Sequence, residues 1–72
     1  MTARPRKPWR VTLTGPDVRA ASDHTSERAA YTFLLAALRG DSPATAARID
    51  QWEGGRWWHF ETVEAADLPL AP

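Results

Sequence analysis

Trp52 and Trp57 stand on either side of Glu53-Gly54-Gly55-Arg56, and Arg48 and His59 lie at alternating positions beyond them. Aromatic rings interleaved with cations can stack single-stranded bases, at roughly 1–3 kcal/mol per base. Trp and Arg are equally the favoured anchors of protein interfaces. A cross-strand Trp pair beside a tight turn also steadies a hairpin with no partner at all. The residues for catalysis are much thinner. His24 and His59 are not spaced as a metal pair and no Cys supports them, so neither a metal site nor a cofactor is expected. Ser22, Ser26 and Ser42 sit in turn or cap contexts without the glycine pattern of a nucleophile elbow. Asp50 and Glu61 each gain a cationic neighbour, which points to ion pairing and not to general acid work. Gly54-Gly55 lacks the Lys-Ser/Thr that follows in a phosphate loop. The chain is therefore not expected to be an enzyme, nor to take a small-molecule substrate.

The elements that must position these residues follow from period and punctuation. Trp9-Arg10-Val11-Thr12-Leu13-Thr14 alternates, with Trp9, Val11 and Leu13 on one side, and reads as a half-buried strand. Gly15-Pro16-Asp17 is a turn, because Pro presets φ and Asp bonds back to its own backbone. Val18 to Ser22 reads as a short returning strand; without it the sheet has three strands instead of four. Asp23 to Glu27 starts a helix, with Thr25 or Ser26 as cap and Glu27 where the helix dipole favours an anion. The helix runs to about Arg39, with Ala30, Phe33, Leu34, Ala37 and Leu38 as its core stripe and Leu35 on the far side. Gly40 is expected to end it in the left-handed conformation, with Pro43 preventing continuation.

Gly54-Gly55 predicts a two-residue hairpin turn, since glycine accepts positive φ at both positions. That turn sets the pairs Glu53–Arg56, Trp52–Trp57, Gln51–Trp58, Asp50–His59, Ile49–Phe60, Arg48–Glu61 and Ala47–Thr62. Ala47, Ile49, Trp58 and Phe60 then pack on the helix, leaving Arg48, Asp50, Trp52, Trp57, His59 and Glu61 on the other face. The fold class is α+β: a small antiparallel sheet of two hairpins, β-β-α-β-β or at the least β-α-β-β, with one helix on one face. One helix leaves the far sheet face bare. Arg10, Thr12, Thr14, Arg48, Trp52, Trp57 and His59 collect there.

Size and charge bound the functional classes. Seventy-two residues make one domain, and a chain this short buries only about 60% of its unfolded surface. Residues 1–8 read as a flexible basic arm, 9–64 as the domain and 65–72 as an acidic, Pro-containing tail, either frayed or loosely docked through Leu68 and Leu70. Nine basic and nine acidic residues cancel, yet they are segregated. Arg4, Arg6, Lys7 and Arg10 precede any acid, and Glu61, Glu64 and Asp67 follow the last base. A dedicated nucleic-acid binder carries a basic excess over the whole domain, and this chain does not. The basic start has no apolar segment after it, so no secretory signal is expected, and no apolar run approaches a membrane span. The absence of Cys fits a reducing cytoplasm. The Ala- and Arg-rich, Lys-poor usage is that of a high-GC bacterial coding sequence, such as an actinobacterium or its phages and plasmids.

Trp9 to Gly40 is similar to the arm-type DNA-binding domain of phage integrases. The likeness rests on a Trp-Arg strand, a Pro-Asp turn and an Ala-rich helix beginning Thr-Ser-Glu-Arg-Ala-Ala, in that order. It implies a sheet that reads duplex DNA, with Arg10 and Arg19 as the contacting positions. Val18 stands where that family has glycine, and the C-terminal Trp hairpin has no counterpart there. The expectation is a non-catalytic binding module that presents its open sheet face and basic arm to nucleic acid. Arg4, Arg6, Lys7, Arg10, Arg19, Arg48, Trp52, Trp57 and His59 would form the contact. The alternative is a protein–protein adaptor or homodimer that buries the same tryptophans.

Overall fold

Alternation in the first strand commits Trp9, Val11 and Leu13 to one side, and the rest of the fold is arranged around them. The computed structural model describes residues 6–40 and 43–68. In chain order it contains β1 (Trp9–Gly15), β2 (Val18–His24), α1 (Glu27–Arg39), β3 (Ala46–Glu53) and β4 (Arg56–Glu64). A short 3-10 turn, Ala65–Asp67, follows. The four strands form one antiparallel sheet in the order β2-β1-β3-β4, with α1 packed on β1, β2 and β3. This is the expected α+β arrangement, in its four-strand form. The two hairpins join through β1 and β3, from Trp9 opposite Gln51 to Thr14 opposite Ala46.

Local chemistry sets most of the boundaries. Gly54 and Gly55 have φ of 59° and 88°, the double left-handed turn that a two-residue hairpin requires. Gly15 is needed for closeness instead, since a Cβ there would lie 2.7 Å from the Pro43 carbonyl oxygen. Ser26 is the helix cap: its Oγ accepts from the Ala29 N–H at 3.1 Å. Asp23 and His24, expected to open the helix, instead extend β2. Arg10 holds Asp23 across the hairpin, and Ser22 Oγ lies 2.8 Å from His24 Nε2 on the other side of the strand. Gly40 does not become left-handed. Its φ is −91°, and its N–H bonds the Ala36 carbonyl.

The core is centred on β1. Trp9, Val11 and Leu13 pack with Ala47 and Ile49 from β3, Ala30, Leu34 and Leu38 from α1, and Ala44. The helix stripe is rotated from the expected one. Leu35 and Tyr31 pack against the core, while Phe33 is exposed and leans on His24 with ring centroids 4.8 Å apart. Leu68 packs against the core beside the 3-10 turn, whereas Arg4, Ser42 and Leu70 lie outside the described residues. Among the described residues, no helix is long and apolar enough to cross a membrane.

Hairpin register changes halfway along β4. Glu53–Arg56, Trp52–Trp57, Gln51–Trp58 and Asp50–His59 pair as expected. Past that point Ile49 faces Glu61, Arg48 faces Thr62 and Ala47 faces Val63, so the expected Ile49–Phe60, Arg48–Glu61 and Ala47–Thr62 pairs do not form. Phe60 is the extra residue of a β-bulge. Bulges leave one residue out of the ladder and re-aim its neighbours. Here the bulge lets Val63 fall opposite the buried Ala47 and brings Glu61 to the Tyr31 hydroxyl, which donates to its carboxylate.

Candidate binding site

The register brings the expected contact residues to one surface. On the helix-free face, Arg19 and Asp23 of β2 lie beside Thr14 and Arg10 of β1. Arg48, Asp50 and Trp52 of β3 continue the face to His59 and Trp57 of β4. Arg10, Arg19, Arg48, Trp52, Trp57 and His59 therefore share it. Arg6 and Lys7 are exposed at the start of β1, where the Pro8 carbonyl accepts from Trp52 N–H at 2.8 Å.

Acids are interleaved with these bases. Arg10 Nε lies 2.8 Å from Asp23 Oδ1, and a second Arg10 nitrogen is 3.3 Å from Oδ2. This paired hydrogen bond raises the Arg10 pKa further and lowers that of Asp23. Arg48 Nε bonds Asp50 Oδ1 at 2.9 Å along β3. The Arg10 guanidinium also stacks 4.2 Å over the Trp57 ring, and Trp57 meets Trp52 edge-on at 5.4 Å. Trp52 and Trp57 are each half-buried in this stack, in the form of a cross-strand pair that steadies the hairpin. His59 Nε2 lies 2.7 Å from Thr62 Oγ1. Residues three apart share a face of a strand only when a bulge lies between them.

The exposed aromatics are on the opposite face. Trp58 and Phe60, expected under the helix, are 48% and 46% exposed. Width explains this: a helix is about 10 Å across and strands are about 4.8 Å apart, so one helix centred on β1 does not reach the far edge of four strands. Both rings are nevertheless held in place. Trp58 Nε1 donates to the Glu53 carbonyl at 2.9 Å, and Arg56 lies 3.7 Å over its ring. Phe60 stands edge-on to the buried Trp9 at 5.0 Å. Neither residue is available for binding on the sequence pattern alone, because the width argument needs the strand order and the seat of the helix. Among the described residues, no group of three or more His, Asp or Glu could hold a metal ion.

No protein family, curated protein or solved structure matches this chain.

Proposed function

We propose that the chain is a small non-catalytic binding module whose partner is a protein, engaged through Trp58 and Phe60 on hairpin β3–β4. The observation that carries this reading is the pair of half-exposed aromatic rings, each anchored by a contact, on the arm of the sheet that α1 leaves uncovered. Fixed aromatics bind at lower entropic cost than mobile ones, and contiguous exposed apolar surface marks partner sites. Charge supports the same reading. The chain is neutral, and Arg10 and Arg48 each hold a carboxylate, which weakens their attraction for phosphate. The Cys-free composition suits a cytoplasmic setting.

Nucleic-acid binding by the open face and arm is the second reading. It is supported by the Arg10–Trp57 stack and by exposed Arg6 and Lys7, and it agrees with the integrase resemblance. Panning a peptide display library against the full chain and a Trp58→Ser/Phe60→Ser variant tests the first reading. Enriched peptides should bind the native chain and be lost on the variant. Failure to enrich, together with salt-sensitive tryptophan quenching by DNA, would transfer the function to the open face.

A further inference from the structure

We propose that the partner of the β4 edge is a second copy of this chain, the two β4 strands pairing antiparallel about a two-fold axis at the Phe60–Glu61 bond. This rests on the reading that the exposed aromatics of the hairpin take a protein partner. β4 is nine residues long and lies at the edge of the sheet. An edge strand presents backbone donors and acceptors that can template another strand. The opposite edge, β2, carries no Phe, Trp or Tyr.

The bulge decides the register. The two-residue turn makes Glu53–Arg56 a hydrogen-bonded pair, so Arg56 and Trp58 turn their backbone groups toward β3 while Trp57 and His59 turn theirs outward. On β3, Trp52 points the other way, its N–H reaching the Pro8 carbonyl. Past the bulge Glu61 and Val63 face β3, and Ala65 N–H reaches the Thr45 carbonyl at 2.9 Å. Thr62 and Glu64 therefore point outward. An antiparallel copy must match outward positions with outward positions. All four are used when Trp57 meets Glu64 of the second copy and His59 meets its Thr62.

Side chains agree with that register. On the helix side, Trp58 comes opposite Val63 of the second copy, and the two Phe60 positions become diagonal neighbours. The charges agree too. β4 begins with Arg56 and ends with Glu64, with Asp67 just beyond. Antiparallel pairing sets the basic start of each copy against the acidic end of the other. Glu64 of the second copy arrives opposite Trp57, the ring that carries Arg10.

Sedimentation equilibrium of the full chain over a range of concentrations should show the mass doubling. Thr62→Pro removes an outward N–H while leaving the β3–β4 ladder intact, and should return the protein to monomer with a native circular dichroism spectrum. Glu64→Lys, an exposed change, should lower the dimer fraction even if Thr62→Pro folds poorly. The chain has no cysteine, so His59→Cys mixed with Thr62→Cys should cross-link on oxidation faster than either variant alone. A monomer at every concentration that still binds peptides through Trp58 and Phe60 would overturn self-pairing and leave a different protein as the partner. A monomer that binds DNA in a salt-sensitive way and selects no peptide would overturn both readings. A dimer that survives Thr62→Pro and yields no preferential mixed cross-link would overturn the β4 interface.

Discussion

Alkaline titration should expose a polar latch between the helix and the edge hairpin. Tyr31 is the sole tyrosine of the chain, and its hydroxyl donates to the Glu61 carboxylate. Burial, and then the hydrogen bond and negative charge of Glu61, push its pKa from 10.0 up to about 12. A rise of that size corresponds to at most ~2.7 kcal/mol of preference for the neutral form. Glu61 is exposed, so solvent screening reduces the contribution to about 1 kcal/mol. The sign follows from proton counts. Above about pH 10 the unfolded chain loses the tyrosine proton while the folded chain keeps it, so this contribution is complete below pH 10 and is lost as the pH rises toward 12. Tyrosinate absorbance reports the one group directly. The folded protein should titrate near 12 and the urea-unfolded chain near 10. Glu61→Gln should lower the folded value only part of the way, because burial is the larger cause. Tyr31→Phe should flatten its share of the stability loss. A folded-state midpoint near 10 would refute the latch.

Burial, charge and backbone geometry set the remaining outcomes. Trp9→Ala empties a fully packed site and should cost about 3–5 kcal/mol in urea unfolding, enough to abolish folding of so small a domain. Trp58→Ala should cost only about 1 kcal/mol, because half of that side chain already meets water; equal losses for the two would contradict the placement of the helix. Asp23→Asn should destabilise by no more than ~1 kcal/mol, since its pair with Arg10 is exposed. The Asp23 pKa is lowered, so the contribution is present above the ordinary carboxylate range and disappears as the pH falls through the folded value, which acid unfolding of both proteins measures. Gly15→Ala should lower the melting temperature through a collision with the Pro43 backbone, whereas Gly54→Asn, which tolerates the left-handed turn, should leave it nearly unchanged.

Where one interaction between near neighbours decides the structure, the amino-acid order was enough. The glycine pair that needs positive φ, the serine cap on the Ala29 N–H, and the alternation of Trp9, Val11 and Leu13 all act within a few residues. They set the strands, the helix and the first four pairs of the second hairpin. Asp23 reads as a helix start in the sequence because its partner, Arg10, is thirteen residues away in the chain and adjacent only across a strand. Phe33 and Leu35 exchanged roles because the 3.6-residue period gives an apolar stripe but not the direction in which the helix leans.

The bulge at Phe60 was invisible for a similar reason. A regular ladder pairs Ile49 with Phe60 and looks apolar and complete. The folded chain gives up that pair because the bulge sets Glu61 beneath Tyr31, Val63 opposite Ala47 and Phe60 against Trp9, contacts that need the first strand and the helix to be in place beside the hairpin. The sequence by itself thus determined the elements, their order and the neutral, segregated charge. Tertiary structure alone decided which aromatics face water, because a single helix spans less than the width of four strands and settles over β1, where the largest apolar surface lies.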